Sequence, residues 1–146
     1  MTRNTAREIA AHLAYEWNFT DLPVGEFLDR RLAPECFAEL APECGLYADA
    51  PNAKQEQYIR RLVAGVADHA AELDDYIARG WRFERIPLMA SAVMRVAMYE
   101  ILYMPDIPHG VAISEAVQIA GKYESAEVVK FINGILASFL REEVKD

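Results

Sequence analysis

The sequence contains few basic residues for its length. It has 15 lysines and arginines against 23 aspartates and glutamates, which gives a net charge of −8 at pH 7. A protein that covers its surface with nucleic acid needs an excess of cations to neutralise phosphates, so this balance excludes an extensive cationic surface. It leaves room for a small basic patch. Arg3 and Arg7 make the beginning of the chain locally basic.

Cysteine and histidine are also scarce. Cys36 and Cys44 form no C-x-x-C pair, and the three histidines, His12, His69 and His109, lie far apart in the sequence. A disulfide framework or a zinc site requires several such residues at short spacings. We therefore expect two reduced thiols, no metal ion and no cofactor.

Long apolar runs are missing as well. No stretch of about eighteen apolar residues occurs, and the chain does not begin with a charged segment followed by an apolar stretch and a cleavage site. We expect neither a membrane span nor a signal peptide, and hence a cytoplasmic protein. With 146 residues, of which 53% are hydrophobic, the chain is predicted to form one domain over residues 1–146.

The motifs of common catalytic and nucleotide-binding sites do not occur. The sequence has no G-x-G-x-x-G, no G-x-x-x-x-G-K-[ST], no G-x-S-x-G and no H-E-x-x-H. Glu100 and Glu115 could pair for acid–base catalysis. However, Glu100 lies in an apolar segment, where a buried carboxylate needs a partner such as Arg95 or Arg82. We expect a structural ion pair there, no catalytic residue, and a protein that is not an enzyme.

Apolar residues repeat three and four positions apart along most of the chain, as in amphipathic helices, and no segment alternates like a strand. Thr5 and Glu8 have the spacing of a capping box, so the first helix is expected to begin there. Arg3, Arg7 and Glu8 would lie at its solvated end. Together with the segments below, this pattern predicts an all-α fold, a compact helical bundle of about six or seven helices.

Prolines, glycines and capping residues delimit the other helices. Gly80 suits a left-handed C-terminal cap, and Gly134 indicates close helix packing, because an interior glycine costs about 1 kcal/mol relative to alanine. The expected segments are a short helix over about 24–33, one helical turn within 34–53, a long helix from Asn52 to Arg79, a central apolar helix from Pro87 to about Met104, and two helices joined at Glu124–Ser125.

Several short sequence words occur in a fixed order. They are A-R-E at 6–8, L-V-A-G-V at 62–66, M-R-V-A-M-Y-E at 94–100, the proline-rich turn at 105–110, I-S-E-A-V at 113–117 and K-F-I-N-G-I-L at 130–136. Each word by itself is unspecific. In this order and spacing they resemble the NusB family of transcription antitermination factors, and the resemblance extends over nearly the whole chain except residues 34–53.

The resemblance implies a two-part helical bundle that binds the boxA sequence of ribosomal RNA transcripts together with NusE, a small-subunit ribosomal protein. The pair would act in the antitermination complex of RNA polymerase. Single-stranded RNA is held by cations on its phosphates and by aromatic rings against its bases. The RNA-binding residues implied by matching position are Arg3, Arg7, Glu127, Lys130 and Phe131. Phe131 lies on the flank of its helix, so both a core and an exposed position remain open.

The chain also departs from the family pattern. The N-terminal arginine run is reduced to Arg3 and Arg7, Ser114 replaces an asparagine, and His109-Gly110 stands where a lysine is common. Fewer cations predict weaker binding to RNA alone and a greater dependence on the protein partner. The same losses support an alternative, a NusB-like protein-interaction module that has lost specific RNA binding. The sequence leaves the oligomeric state open, including a possible homodimer.

Overall fold

A computed structural model describes residues 1–81 and 85–144 of the chain. The chain divides into two compact units, Met1–Ala67 and Asp68–Asp146. The described residues form helices and turns and contain no β-strand. The all-α fold class is therefore confirmed. The single-domain organisation stays a prediction, since two compact units can belong to one domain.

The described residues form eight α-helices and one short 3₁₀ helix, which is slightly more than the six or seven expected. The helices of the first unit are α1 (Arg3–Trp17), α2 (Val24–Arg31), α3 (Pro34–Leu40), the 3₁₀ helix (Gly45–Tyr47) and α4 (Ala53–Asp68), which ends at the unit boundary. The helices of the second unit are α5 (Ala70–Gly80), α6 (Leu88–Tyr103), α7 (His109–Ala120) and α8 (Ala126–Glu143).

Helix α1 begins three residues earlier than the capping-box spacing predicted. Its N-cap is Thr2, whose hydroxyl accepts a hydrogen bond from the amide of Thr5 at 3.1 Å. Thr5 therefore lies inside the first turn, and the predicted Thr5–Glu8 box was wrong. The expected solvated position was also wrong for Arg7 and Glu8, which are 2% and 6% exposed. Arg3 is exposed as predicted.

The segment between α2 and α4 is more helical than its four prolines and glycines suggested. Pro34 is the first residue of α3, a position where its missing amide costs nothing and its fixed φ favours the helix. Arg31, at the end of α2, donates two hydrogen bonds to the carboxylate of Glu16 and one to Tyr47 Oη at 3.3 Å. These side-chain bonds attach the irregular segment to α1.

The predicted long helix from Asn52 to Arg79 is two helices. Backbone dihedrals of φ −111° and ψ 15° at His69 interrupt it between α4 and α5. The apolar repeat continues across this break, so its periodicity gave no sign of it. Gly80 ends α5 without a positive φ, which corrects the expected left-handed cap. A Cβ at Gly80 would lie 3.0 Å from Ile135 Cγ1, so this glycine allows α8 to approach closely.

Helix α6 is buried along most of its length and packs against α5, α7 and α8 in the second unit. Pro87 is its N-cap and not, as predicted, its first residue. Glu100 is completely buried, but Arg95 forms a bidentate pair with Asp74 at 2.8 Å and not with Glu100. Arg82, the other expected partner, lies outside the described residues.

The C-terminal helical pair, α7 and α8, confirms the pattern of the last third of the sequence. Ser125 is the N-cap of α8, and its hydroxyl accepts a hydrogen bond from the amide of Val128 at 3.3 Å. Gly134 is exposed, and a Cβ there would meet no described atom within 4 Å. The expectation that Gly134 permits close helix packing was therefore wrong. None of the described helices is long and apolar enough to cross a membrane.

Candidate nucleic-acid interface

The first turns of α8 bring together three of the residues implied in RNA binding. Glu127, Lys130 and Phe131 are three and four positions apart, so they lie on one side of the helix. Glu127 and Lys130 are exposed, whereas Phe131 is half-buried. The Phe131 ring packs against the indole of Trp81 with a centroid distance of 6.2 Å. This resolves the question left open by the sequence, because Phe131 is neither a core residue nor fully exposed.

A groove of about 610 Å³ runs beside these three residues. Gly80 and Gly134 line it with Ile135 and Ser138, so part of its wall carries no bulky side chain. A cation, an aromatic ring and an open groove on one helix face suit a nucleotide, whose phosphate needs a positive charge and whose base needs a flat apolar surface. Sequence reasoning identified the charged and aromatic residues but gave the glycines a different role.

Arg79 lies close to this groove but is already engaged. Its guanidinium forms an ion pair with Glu143 and lies over the Tyr76 ring at 5.0 Å. The three residues that make these contacts line a smaller cavity of about 130 Å³ between the ends of α5 and α8. The charge of Arg79 is thus directed to the packing of the two helices.

In the first unit, the exposed residue Arg3 lies beside the start of α4. Its guanidinium stacks on the Tyr58 ring, with Arg3 Cζ 4.1 Å from the ring centroid. The start of α4 is fixed by Asn52 and Gln55, each of which accepts a hydrogen bond from the backbone amide of the other, at 2.9 and 3.0 Å. This confirms the predicted Asn52 cap. Sequence reasoning did not identify Tyr58 as a partner of Arg3, because the two residues are 55 positions apart in the chain.

Arg7 occupies a different environment from Arg3. It is 2% exposed, donates a hydrogen bond to Asn4 Oδ1 at 3.0 Å, and its Cζ lies 5.9 Å from the Tyr58 ring centroid. A guanidinium in this position contributes to the packing around the start of α1. Its direct contact with RNA stays a prediction.

Five of the described arginines form ion pairs inside their own unit. The pairs are Arg30–Glu26, Arg31–Glu16, Arg60–Asp29, Arg79–Glu143 and Arg95–Asp74. By contrast, Arg3 and Lys130 form no ion pair with any described residue. In an acidic protein, an exposed cation that no carboxylate neutralises keeps its charge for an anionic ligand.

An aromatic cluster in the second unit surrounds Tyr103. The His69 ring stacks on Tyr103 at 4.3 Å between centroids, and Tyr103 Oη donates a 2.6 Å hydrogen bond to Glu72. This hydrogen bond, with smaller effects of burial and of the Glu72 charge, raises the pKa of Tyr103 to about 12. The cluster packs the start of α5 against the end of α6. Among the described residues, no group of His, Cys, Asp and Glu is arranged to hold a metal ion.

The sequence profile of the NusB family matches residues 4–141. The chain belongs to the NusB family. The match includes Arg7 and the start of α8, whereas Arg3 lies one residue before it. The transcription antitermination protein NusB of Symbiobacterium thermophilum is 34% identical over 144 residues, which are 97% of this chain and 90% of that protein.

Solved structures of the NusB family have the same fold. NusB of T. maritima is 25% identical with a TM-score of 0.71, covering 99% of this chain and 94% of its own. NusB in a crystal structure with NusE and double-stranded RNA is 22% identical with a TM-score of 0.73, and the match covers 95% and 96% of the two chains. At 22% identity, the similarity to this second structure is evidence for the fold and not for a shared function. The all-helical architecture predicted from the resemblance is therefore that of the NusB family.

Proposed function

We propose that this chain is a transcription antitermination factor that binds the boxA sequence of ribosomal RNA transcripts together with NusE, within the antitermination complex of RNA polymerase. The observation that carries RNA binding is the start of α8, where Lys130 and Phe131 line one groove. NusB of Symbiobacterium thermophilum is named for transcription antitermination, and a NusB has been crystallised with NusE and RNA. We infer the same process and the same two partners, NusE and RNA, for this chain.

The chemistry of this function is binding, not catalysis. Lys130 would neutralise a backbone phosphate, and the Phe131 ring would offer a face for an unstacked base. Glu127 lies next to them, and its carboxylate would repel any further phosphate. The groove would therefore accept one RNA strand with its phosphate at Lys130. Arg3 in the first unit would contact a phosphate as well. Each of these contacts orients the transcript for the complex, and none requires an enzymatic step.

A second candidate is a NusB-like protein-interaction module that has lost specific RNA binding. The net charge of −8 and the burial of Arg7 favour it, because both reduce the cations available to RNA. This candidate predicts that NusE binds the chain and that RNA of any sequence does not.

Fluorescence anisotropy of labelled boxA RNA distinguishes the two candidates. The full chain is titrated into boxA RNA and into a scrambled RNA of equal length, with and without NusE. We expect preferential binding of boxA that becomes tighter when NusE is present, because joint binding raises the effective concentration of the second contact. Equal affinity for both RNAs under both conditions would show that boxA recognition is wrong. NusE binding without any RNA binding would support the interaction module.

A further inference from the structure

A second cation faces the same pocket as Arg3. The pocket has a volume of about 210 Å³ and is lined by Arg3, Ala6, Asn52, Lys54, Gln55 and Tyr58. Lys54 is exposed on the first turn of α4, whereas Arg3 is on the first turn of α1. Two positive charges from different helices are thus held at one small concave site, although the protein as a whole is acidic.

The charges of these two residues are not neutralised within the described part of the chain. No carboxylate is among the described residues that line the pocket, and neither Arg3 nor Lys54 forms an ion pair with a described residue. Glu56, the acidic residue in the first turn of α4, is directed to Arg60 at 3.7 Å. An anion entering this pocket would therefore meet two cations and no opposing negative charge.

The pocket is also held in shape without a ligand. The Tyr58 ring supports the Arg3 guanidinium, and Gln55 Nε2 donates a 2.6 Å hydrogen bond to the carbonyl of Met1, which ties the chain end to α4. Stacking restricts the rotamers of Arg3 and leaves its N–H edge available for an oxygen ligand. Binding an anion then requires less ordering of the side chain than at a mobile arginine.

From these observations we propose that Arg3 and Lys54 together bind one phosphate of the RNA backbone. This inference rests on the proposed function. The size of the pocket and its two cations fit a single phosphate group, which takes several charge-assisted hydrogen bonds at once. Lys54 thereby supplies a positive charge on α4 in a chain whose N-terminal arginines are few, and it extends the RNA contact beyond the start of α8.

The test compares Lys54→Gln with Arg30→Gln in the full chain, using boxA RNA with NusE present. Both substitutions remove one exposed charge from the first unit, but Arg30 is paired with Glu26 on α2. We expect Lys54→Gln to weaken RNA binding about two- to fivefold, the range of an exposed ion pair. Because Arg3 still contacts the shared phosphate, the slope of log K against log salt should fall by less than the roughly 0.7 of a wholly lost phosphate contact. Lys54→Arg should retain both values, and Arg30→Gln should change neither.

A set of boxA RNAs, each with one methylphosphonate linkage, locates the phosphate. We expect one linkage at which Lys54→Gln loses less affinity than the wild type does, because Lys54 and that phosphate share one interaction while Arg3 keeps its own. Tyr58→Phe should keep the wild-type pattern, since it keeps the ring beneath Arg3. Lys54→Gln behaving like Arg30→Gln would overturn the inference while leaving boxA binding intact. Weaker NusE binding with unchanged RNA binding would assign the pocket to a protein carboxylate and overturn it too. If the wild type does not bind boxA at all, the proposed function fails and the phosphate site with it.

Discussion

At the scale of single residues, Lys130 and Phe131 are neighbours with different chemistry. Lys130→Gln should reduce both RNA affinity and the salt slope, the latter by about 0.7, because one phosphate contact is lost. Phe131→Leu keeps an apolar side chain against Trp81 but removes the aromatic face. It should weaken binding by about 1–3 kcal/mol without changing the slope, since stacking carries no net charge.

The measurement for this pair is an anisotropy titration over a series of salt concentrations. Phe131→Tyr is the control, because it retains a ring of the same shape. Equal salt slopes for the wild type and Lys130→Gln would show that Lys130 does not contact a phosphate. An unaltered affinity for Phe131→Leu would assign the ring to packing against Trp81 alone.

A second residue-scale prediction concerns Tyr47. Burial raises its pKa to about 12 from an ordinary value of 10.0, although the neighbouring Arg31 lowers it. Below pH 10 the tyrosine is neutral in both the folded and the unfolded chain, so its contribution to stability is fully present. Between pH 10 and 12 the unfolded chain loses this proton first. The free energy of unfolding therefore falls by about 2–3 kcal/mol over that range.

Urea denaturation of the wild type and Tyr47→Phe across this pH range checks the effect. Phenylalanine fills the same buried site but cannot ionise, so the stability advantage of the wild type should shrink as the pH rises from 10 to 12. A constant difference between the two proteins over that range would mean that Tyr47 ionises equally in both states. The other tyrosines titrate in both proteins and cancel in the comparison.

At the scale of helices, Gly80 and Gly134 form a matched pair. Gly80→Ala would place its Cβ 3.0 Å from Ile135 Cγ1 at the contact of α5 with α8, so it should destabilise the fold by about 1–3 kcal/mol. Gly134→Ala meets no described atom within 4 Å and lies inside α8. It should stabilise by up to about 1 kcal/mol, because alanine favours a helix interior.

Free energies of unfolding from urea titrations give both values in one experiment. A stabilised Gly80→Ala protein would mean that Ile135 moves aside at little cost. A destabilised Gly134→Ala protein would mean that the exposed position is constrained by something other than helix propensity. Opposite signs for the two substitutions would establish that the sequence alone could not rank these glycines.

Some helices were predicted correctly from the sequence and others were not. The periodic apolar faces of α1, α6 and α8 were predicted because a helix places every third and fourth residue on one side. The break at His69 was not, since the apolar repeat runs through it without a proline or glycine. Only one helical turn was expected where α3 lies, because proline often ends a helix, although Pro34 is the first residue of α3 and proline is favourable there.

At the scale of the whole molecule, the acidic balance limits how strongly RNA binding depends on salt. If Arg3 and Lys54 share one phosphate and Lys130 contacts another, about two phosphates are neutralised. The slope of log K against log salt should then be near −1.4, from about 0.7 per phosphate of a single strand. Titrations at several salt concentrations measure it. A slope of about −5 or steeper would require a cationic surface that the composition does not provide.

The sequence by itself determined the all-α class, the helix faces and the likeness to the NusB family. These features depend on the order of residues along the chain, because helix periodicity and capping are local. The tertiary structure decided which cations remain available to a ligand. Arg7 is buried, whereas Arg3 rests on Tyr58 and shares a pocket with Lys54. Burial and ion pairing depend on residues brought together from distant parts of the chain, and no local pattern encodes them.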